Sequence, residues 1–229
     1  VKAKRIVSIT GIAMVVGFAS APAGATVVYS GAWQSNAAPN GNYIFQVTDA
    51  GAVFNYSLTV NPWNAEALGL FIDLGTADLP IPSGVALTSV SPIGEVTVYA
   101  TDSTSSSCGP GCNLNGLAPP ARVGGDWELI FRLGDVGFDS IQTFTWTTQD
   151  FGLTESDFGI VGVRAQQLCS STGTLDDGDE GCGDSDKVWA VPNGVEVPPE
   201  DEPIPEPGVM FLIGAGLVGL GMARRRKSA

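Results

Sequence analysis

Between positions 26 and 197 the apolar residues come in short alternating runs and never in a sustained helical period, a pattern that limits the fold to sheets. Runs rich in β-branched and aromatic residues fall at 26–29, 42–48, 52–60, 67–73, 95–101, 126–133, 141–148, 159–166 and 187–191. Gly, Pro, Asn, Asp and Ser separate them, the residues that turns demand. Phe54, Tyr56, Leu58 and Val60 share one strand face, and Asn55, Ser57 and Thr59 share the other. Trp127, Leu129, Phe131 and Leu133 alternate in the same way with Glu128 and Arg132, although Ile130 interrupts the polar row. Asp49-Ala50-Gly51 between two runs reads as a tight hairpin. The region offers no long amphipathic helix. About nine strands in roughly 170 residues, enough for one sizeable core, predict a single all-β domain, an antiparallel β-sandwich of jelly-roll-like character.

The two ends read as addresses rather than fold. Lys2, Lys4 and Arg5 precede an apolar run at 6–18 and then Ala23-Gly24-Ala25. A basic start, a short apolar core and a small-x-small site make a secretory signal peptide over 1–25, cleaved after Ala25. The β-domain then occupies 26–197, and a Pro- and acid-rich linker over 198–207 ends in Pro205-Glu206-Pro207. Residues 208–229 hold an apolar stretch at 209–223 followed by Arg224, Arg225, Arg226 and Lys227. As a transmembrane helix that stretch spans about 22 Å, short of the roughly 30 Å hydrocarbon core. The basic cluster keeps the end cytoplasmic and places everything upstream on the outer side. Gly214-Ala215-Gly216-Leu217-Val218-Gly219 spells a dinucleotide fingerprint but lacks the preceding strand and the later acid that such a site needs. Small residues there suit close helix packing instead.

Pro-Glu-Pro, one apolar segment and a terminal Arg cluster, in that order, resemble the PEP-CTERM sorting signal. The resemblance implies an exosortase-type membrane enzyme that processes the tail near Pro205, Glu206 and Pro207. It also implies bacteria that secrete exopolysaccharide, with products displayed at the surface or released. Within the domain, Phe144-Thr145-Trp146-Thr147, Asp157-Phe158-Gly159 and Val163-Arg164-Ala165-Gln166 resemble runs of PEP-CTERM passenger domains. Arg164, the lone cation of that region, is expected to pair with a carboxylate.

Charge narrows the function further. Between the basic ends only Arg122, Arg132, Arg164 and Lys187 stand against all 24 acids, and four against 24 leaves −20. Such a surface repels nucleic acid. The sequence contains no histidine, so Ser-His-Asp and Cys-His catalysis and His-ligated metals fall away. Four cysteines form two local pairs, Cys108 with Cys112 and Cys169 with Cys182, and export makes disulfides the default over a zinc site. Asp176, Asp177, Asp179, Asp184 and Asp186 crowd the second loop and are candidate calcium ligands, although their spacing is not that of an EF-hand. The alternative is a solvated acidic loop.

Three functions compete. One is a non-enzymatic surface or matrix protein with no cofactor, associated with exopolysaccharide. Another is a carbohydrate-binding module with a structural calcium and Trp63, in a turn, as its exposed stacking platform. The third, a glycosidase, needs two carboxylates at a set separation, and no concentrated motif supports it.

Overall fold

A computed structural model describes residues 24–31, 33–35, 41–169, 175, 182–193 and 195–196. Twelve strands run in the order β1 (Thr26–Ser30), β2 (Gln34–Ser35), β3 (Tyr43–Asp49), β4 (Val53–Val60), β5 (Glu66–Ile72) and β6 (Thr88–Ser91), then β7 (Val96–Ser103), β8 (Trp127–Leu133), β9 (Thr143–Gln149), β10 (Val161–Leu168), β11 (Asp184–Ala190) and β12 (Val195–Glu196). They form two six-stranded sheets, β12-β1-β3-β4-β9-β6 and β2-β11-β10-β5-β8-β7. Neighbours pair antiparallel throughout. Each of the nine runs expected to be extended is a strand here. The turn at Asp49 is the predicted hairpin, with Asp49 opposite Phe54 and Gly51 at a φ of 89° that only glycine adopts without strain.

The two sheets pack face to face. Phe45, Phe54, Tyr56, Leu58, Phe144 and Trp146 come from one inner face, and Leu70, Ile72, Leu129, Phe131, Val163 and Val188 from the other. Aromatic rings knit the sheets at the centre. Tyr56 stacks on Trp146 at 5.2 Å and 6°, and Trp146 meets Phe131 edge-on at 4.9 Å. Each such buried side chain contributes about 1.5–3 kcal/mol of transfer free energy.

A second core lies outside the β5-containing sheet. Leu68, Phe71 and Ile130 are covered there by Cys108, Cys112 and Leu114, which belong to the long β7–β8 connection. This explains why Ile130 stands in a row that the alternation reads as polar: that face is buried too. Trp127 departs from the expected row. It packs on Phe71 at 5.5 Å, with Arg122 4.5 Å over its ring, instead of joining Leu129, Phe131 and Leu133. The β5–β8 pairing covers Leu129 to Arg132, and Trp127 pairs only with Ser103 of β7.

Two strand glycines make room for the outer layer. A Cβ on Gly69 would overlap both sulfurs of the Cys108–Cys112 disulfide, and one on Gly162 would overlap Leu114. Gly69→Ala is therefore expected to lift the cysteine knuckle off the sheet and cost about 1–3 kcal/mol, as overpacking does. Gly183→Ala, where the added methyl meets open space, is the control. Equal unfolding midpoints for the two variants in denaturant titrations would contradict this account.

Candidate functional site

Both expected disulfides are present, Cys108–Cys112 with Cα atoms 5.0 Å apart and Cys169–Cys182 at 4.6 Å. The loop that the second one closes carries the candidate calcium ligands. Asp176, Asp177 and Asp179 lie outside the described residues, and Asp184 is exposed at the start of β11. Asp186 has a different job. It is fully buried and accepts hydrogen bonds from the Gly41 amide (2.9 Å), the Tyr43 phenol (3.3 Å) and the Ser35 hydroxyl. Its oxygens hold the chain around β2 and the start of β3. Burial, with Asp186 beside it, raises the Tyr43 phenol well above its ordinary range.

Arg164 lies beside Asp186, whose charge favours its protonated form, and its guanidinium donates to the backbone carbonyls of Asp186 (3.0 Å) and Ala165. The antiparallel register sets Ala165 opposite Asp186, which brings the Asp186 main chain within the arginine's reach.

Trp63 is half-buried and stacks on Phe138 at 6.1 Å and 24°, so it is not the exposed platform its turn sequence suggests. Its indole nitrogen is buried, and its carbonyl accepts from the Leu175 amide at 2.7 Å. Trp63 thus lies between the core and Leu175. Trp33, Trp127 and Trp146 are buried, and Trp189 packs half-buried against the outer core.

The sequence reading missed a clasp of polar side chains that holds the strandless turn between β8 and β9. Glu66 on β5 is buried and accepts from the amides of Asp139 (3.2 Å) and Ser140 (2.9 Å). Asp139 accepts from the amides of Asp135 (3.2 Å) and Ile141 (3.0 Å). Gln166, opposite Glu66 on β10, donates to the carbonyls of Asp135 (2.8 Å) and Gly137 (2.6 Å). Burial and the neighbouring Asp139 raise the Glu66 pKa. Glu66 is sealed from solvent, and its carboxylate accepts from backbone amides. The signal for it was a Glu at the head of an otherwise apolar run.

A second acidic cluster lies at the opposite end of β8. Asp78, Asp102, Asp126 and Glu128 line a cavity of about 310 Å³. Glu128 is buried and accepts from the Leu74 amide at 2.6 Å, and Asp102 accepts from the Leu79 amide at 3.1 Å. Among the described residues no three His, Cys, Asp or Glu side chains form a set able to hold a metal.

The described part of the chain is an all-β domain of two antiparallel sheets, stapled by two disulfides. Its tail carries a recognised address: residues 203–227 match the family model of the PEP-CTERM protein-sorting motif. No curated protein and no solved structure matches the chain significantly. The matched motif holds Pro205, Glu206, Pro207, Arg224, Arg225, Arg226 and Lys227, all outside the described residues, as are the apolar stretch between them and positions 1–23 of the expected signal peptide, Ala23 included. Ala25 stands one residue before β1, and its carbonyl accepts from the Asp49 amide at 3.1 Å. Among the described residues no helix is long and apolar enough to cross a membrane.

Burial, with Asp73 adding repulsion, pushes the Glu128 pKa up to about 7 from its ordinary 4.5. The folded state then binds this proton more tightly than the unfolded state, so the stability it contributes is present below about pH 4.5 and is lost as pH rises through about 7. Glu128→Gln, which keeps the neutral form at every pH, is expected to flatten that part of the profile and to raise the unfolding midpoint near about pH 8. A variant profile parallel to the wild type would refute it.

Proposed function

We propose that this chain is the precursor of an exported, non-enzymatic bacterial surface or extracellular-matrix protein, sorted and processed through its tail by an exosortase. The match of residues 203–227 to the PEP-CTERM sorting motif carries the reading. The precursor sits in the inner membrane through the apolar stretch at 209–223, with the domain outside the cytoplasm, and the processed product reaches the surface or the medium. Two disulfides suit an oxidising compartment. The lack of histidine and the engagement of Glu66, Asp139 and Glu128 with backbone amides favour a scaffold over a catalyst. Association with exopolysaccharide fits such a scaffold. The calcium-bearing sugar module is the weaker reading, since Asp186 and Trp63 are both engaged within the fold.

Intact mass of the mature protein from its producing cell, beside a variant with Pro205, Glu206 and Pro207 all changed to Ala, tests the sorting. The wild type is expected to end near Pro207 and the variant to keep its tail through Ala229. An intact tail in both proteins rules out processing at the motif.

A further inference from the structure

Outside the second core, β7, β8 and the cysteine knuckle enclose a shallow cleft of about 520 Å³, within the size range of small-molecule sites. Tyr99 on the edge strand β7 forms one wall and is 45% exposed, in a domain whose described tryptophans are all covered or half-covered. Val136, 63% exposed, lines the same cleft. The knuckle backs both residues through glycines. A Cβ on Gly109 would lie 3.2 Å from the Tyr99 ring, and one on Gly111 would lie 3.5 Å from Val136.

Arg132, one of four cations in the domain, lines the same cleft beside Asp135. Its guanidinium donates to the Pro110 carbonyl at 3.2 Å, which fixes the fork against the knuckle. Asp135 is held by its own backbone: its amide donates to Asp139 at 3.2 Å and its carbonyl accepts from Gln166 at 2.8 Å. The buried clasp therefore positions the acid of the cleft.

We propose that this cleft binds a neutral saccharide unit, with Tyr99 as the stacking face and Arg132 and Asp135 as the hydrogen-bonding pair for adjacent hydroxyls. An aromatic face takes the C–H side of a sugar ring, and both parts are set before the ligand arrives. The donor and the acceptor side by side match a hydroxyl pair, since a hydroxyl both gives and receives. An anionic sugar would meet Asp135 and a surrounding domain in which 20 acids over 26–197 outnumber four cations. The site differs from the Trp63 turn and does not depend on how the tail is processed.

Affinity electrophoresis of the protein as exported by its producing cell, through gels containing dextran, hydroxyethylcellulose, galactomannan or polygalacturonate, tests the proposal. At least one neutral polymer is expected to retard the wild type. Tyr99→Ala is expected to weaken that retardation about tenfold, the scale of one lost stacking contact, while Tyr99→Phe keeps it. Val136→Trp, which fills the cleft from an exposed position, gives the same loss without disturbing a packed residue. Three outcomes overturn the proposal: no retardation by any neutral polymer, equal retardation of the wild type, Tyr99→Ala and Val136→Trp, or stronger retardation by polygalacturonate than by every neutral polymer.

Discussion

All seven residues of β5, Glu66 to Ile72, are buried, so this strand has no side left for water. Antiparallel strands in a sandwich ordinarily show one face to solvent, and a strand buried on both needs cover on both. The inner cover is the opposite sheet, with Phe131 and Trp146 in contact across the gap. The outer cover is the β7–β8 connection, whose disulfide sits on Gly69 and whose Leu114 sits over Gly162. A register shift between Ala67 and Gly69 lets Ala67 share the inner face with Leu70 and Ile72, while Leu68 and Phe71 join the outer core.

A domain with 20 acids and four cations cannot satisfy its carboxylates with ion pairs alone. Many of them accept from backbone amides instead. Asp49, Asp73 and Asp150 each cap the amide two residues on, closing local turns. Glu66, Glu128 and Asp186 reach across the fold and fasten segments that no strand ladder holds. Burial of such groups is tolerable because amide donors replace water, and an unmatched acceptor there would cost about 1–3 kcal/mol. Composition thus determines how the loops are tied, and the tied loops present Asp135 to the Tyr99 cleft.

This division also explains what was legible in the sequence. Strand existence was, because period-two alternation in runs such as 52–60 is a local signal that antiparallel pairing preserves. The pairing of the cysteines was legible from proximity, and the sorting tail from its three adjacent parts. Long-range facts were not. Nothing near Asp186 in sequence announces that Gly41 and Tyr43 will close over it, and nothing near Trp63 announces Phe138. β6 escaped notice because Thr88-Ser89-Val90-Ser91 alternates weakly, and its pairing with β9 shifts register around Ser89, whose φ is +51°. Tyr99 escaped because an exposed aromatic on an edge strand has the same local pattern as a buried one.

The knuckle joins these levels. In the chain-entropy picture the two disulfides differ by only about 1 kcal/mol despite their unequal loops, so loop length does not set their roles apart. Position does. The sulfurs of Cys108 and Cys112 press on Gly69 and complete the outer core, while Gly109 and Gly111 between them lie against Tyr99 and Val136. One five-residue turn therefore both seals the central strand and shapes the cleft. Changes at the cysteines act on stability and cleft together. Changes at Tyr99 or Val136, which lie on the solvent side of the turn, act on the cleft alone, and this separation lets binding be tested without unfolding the domain.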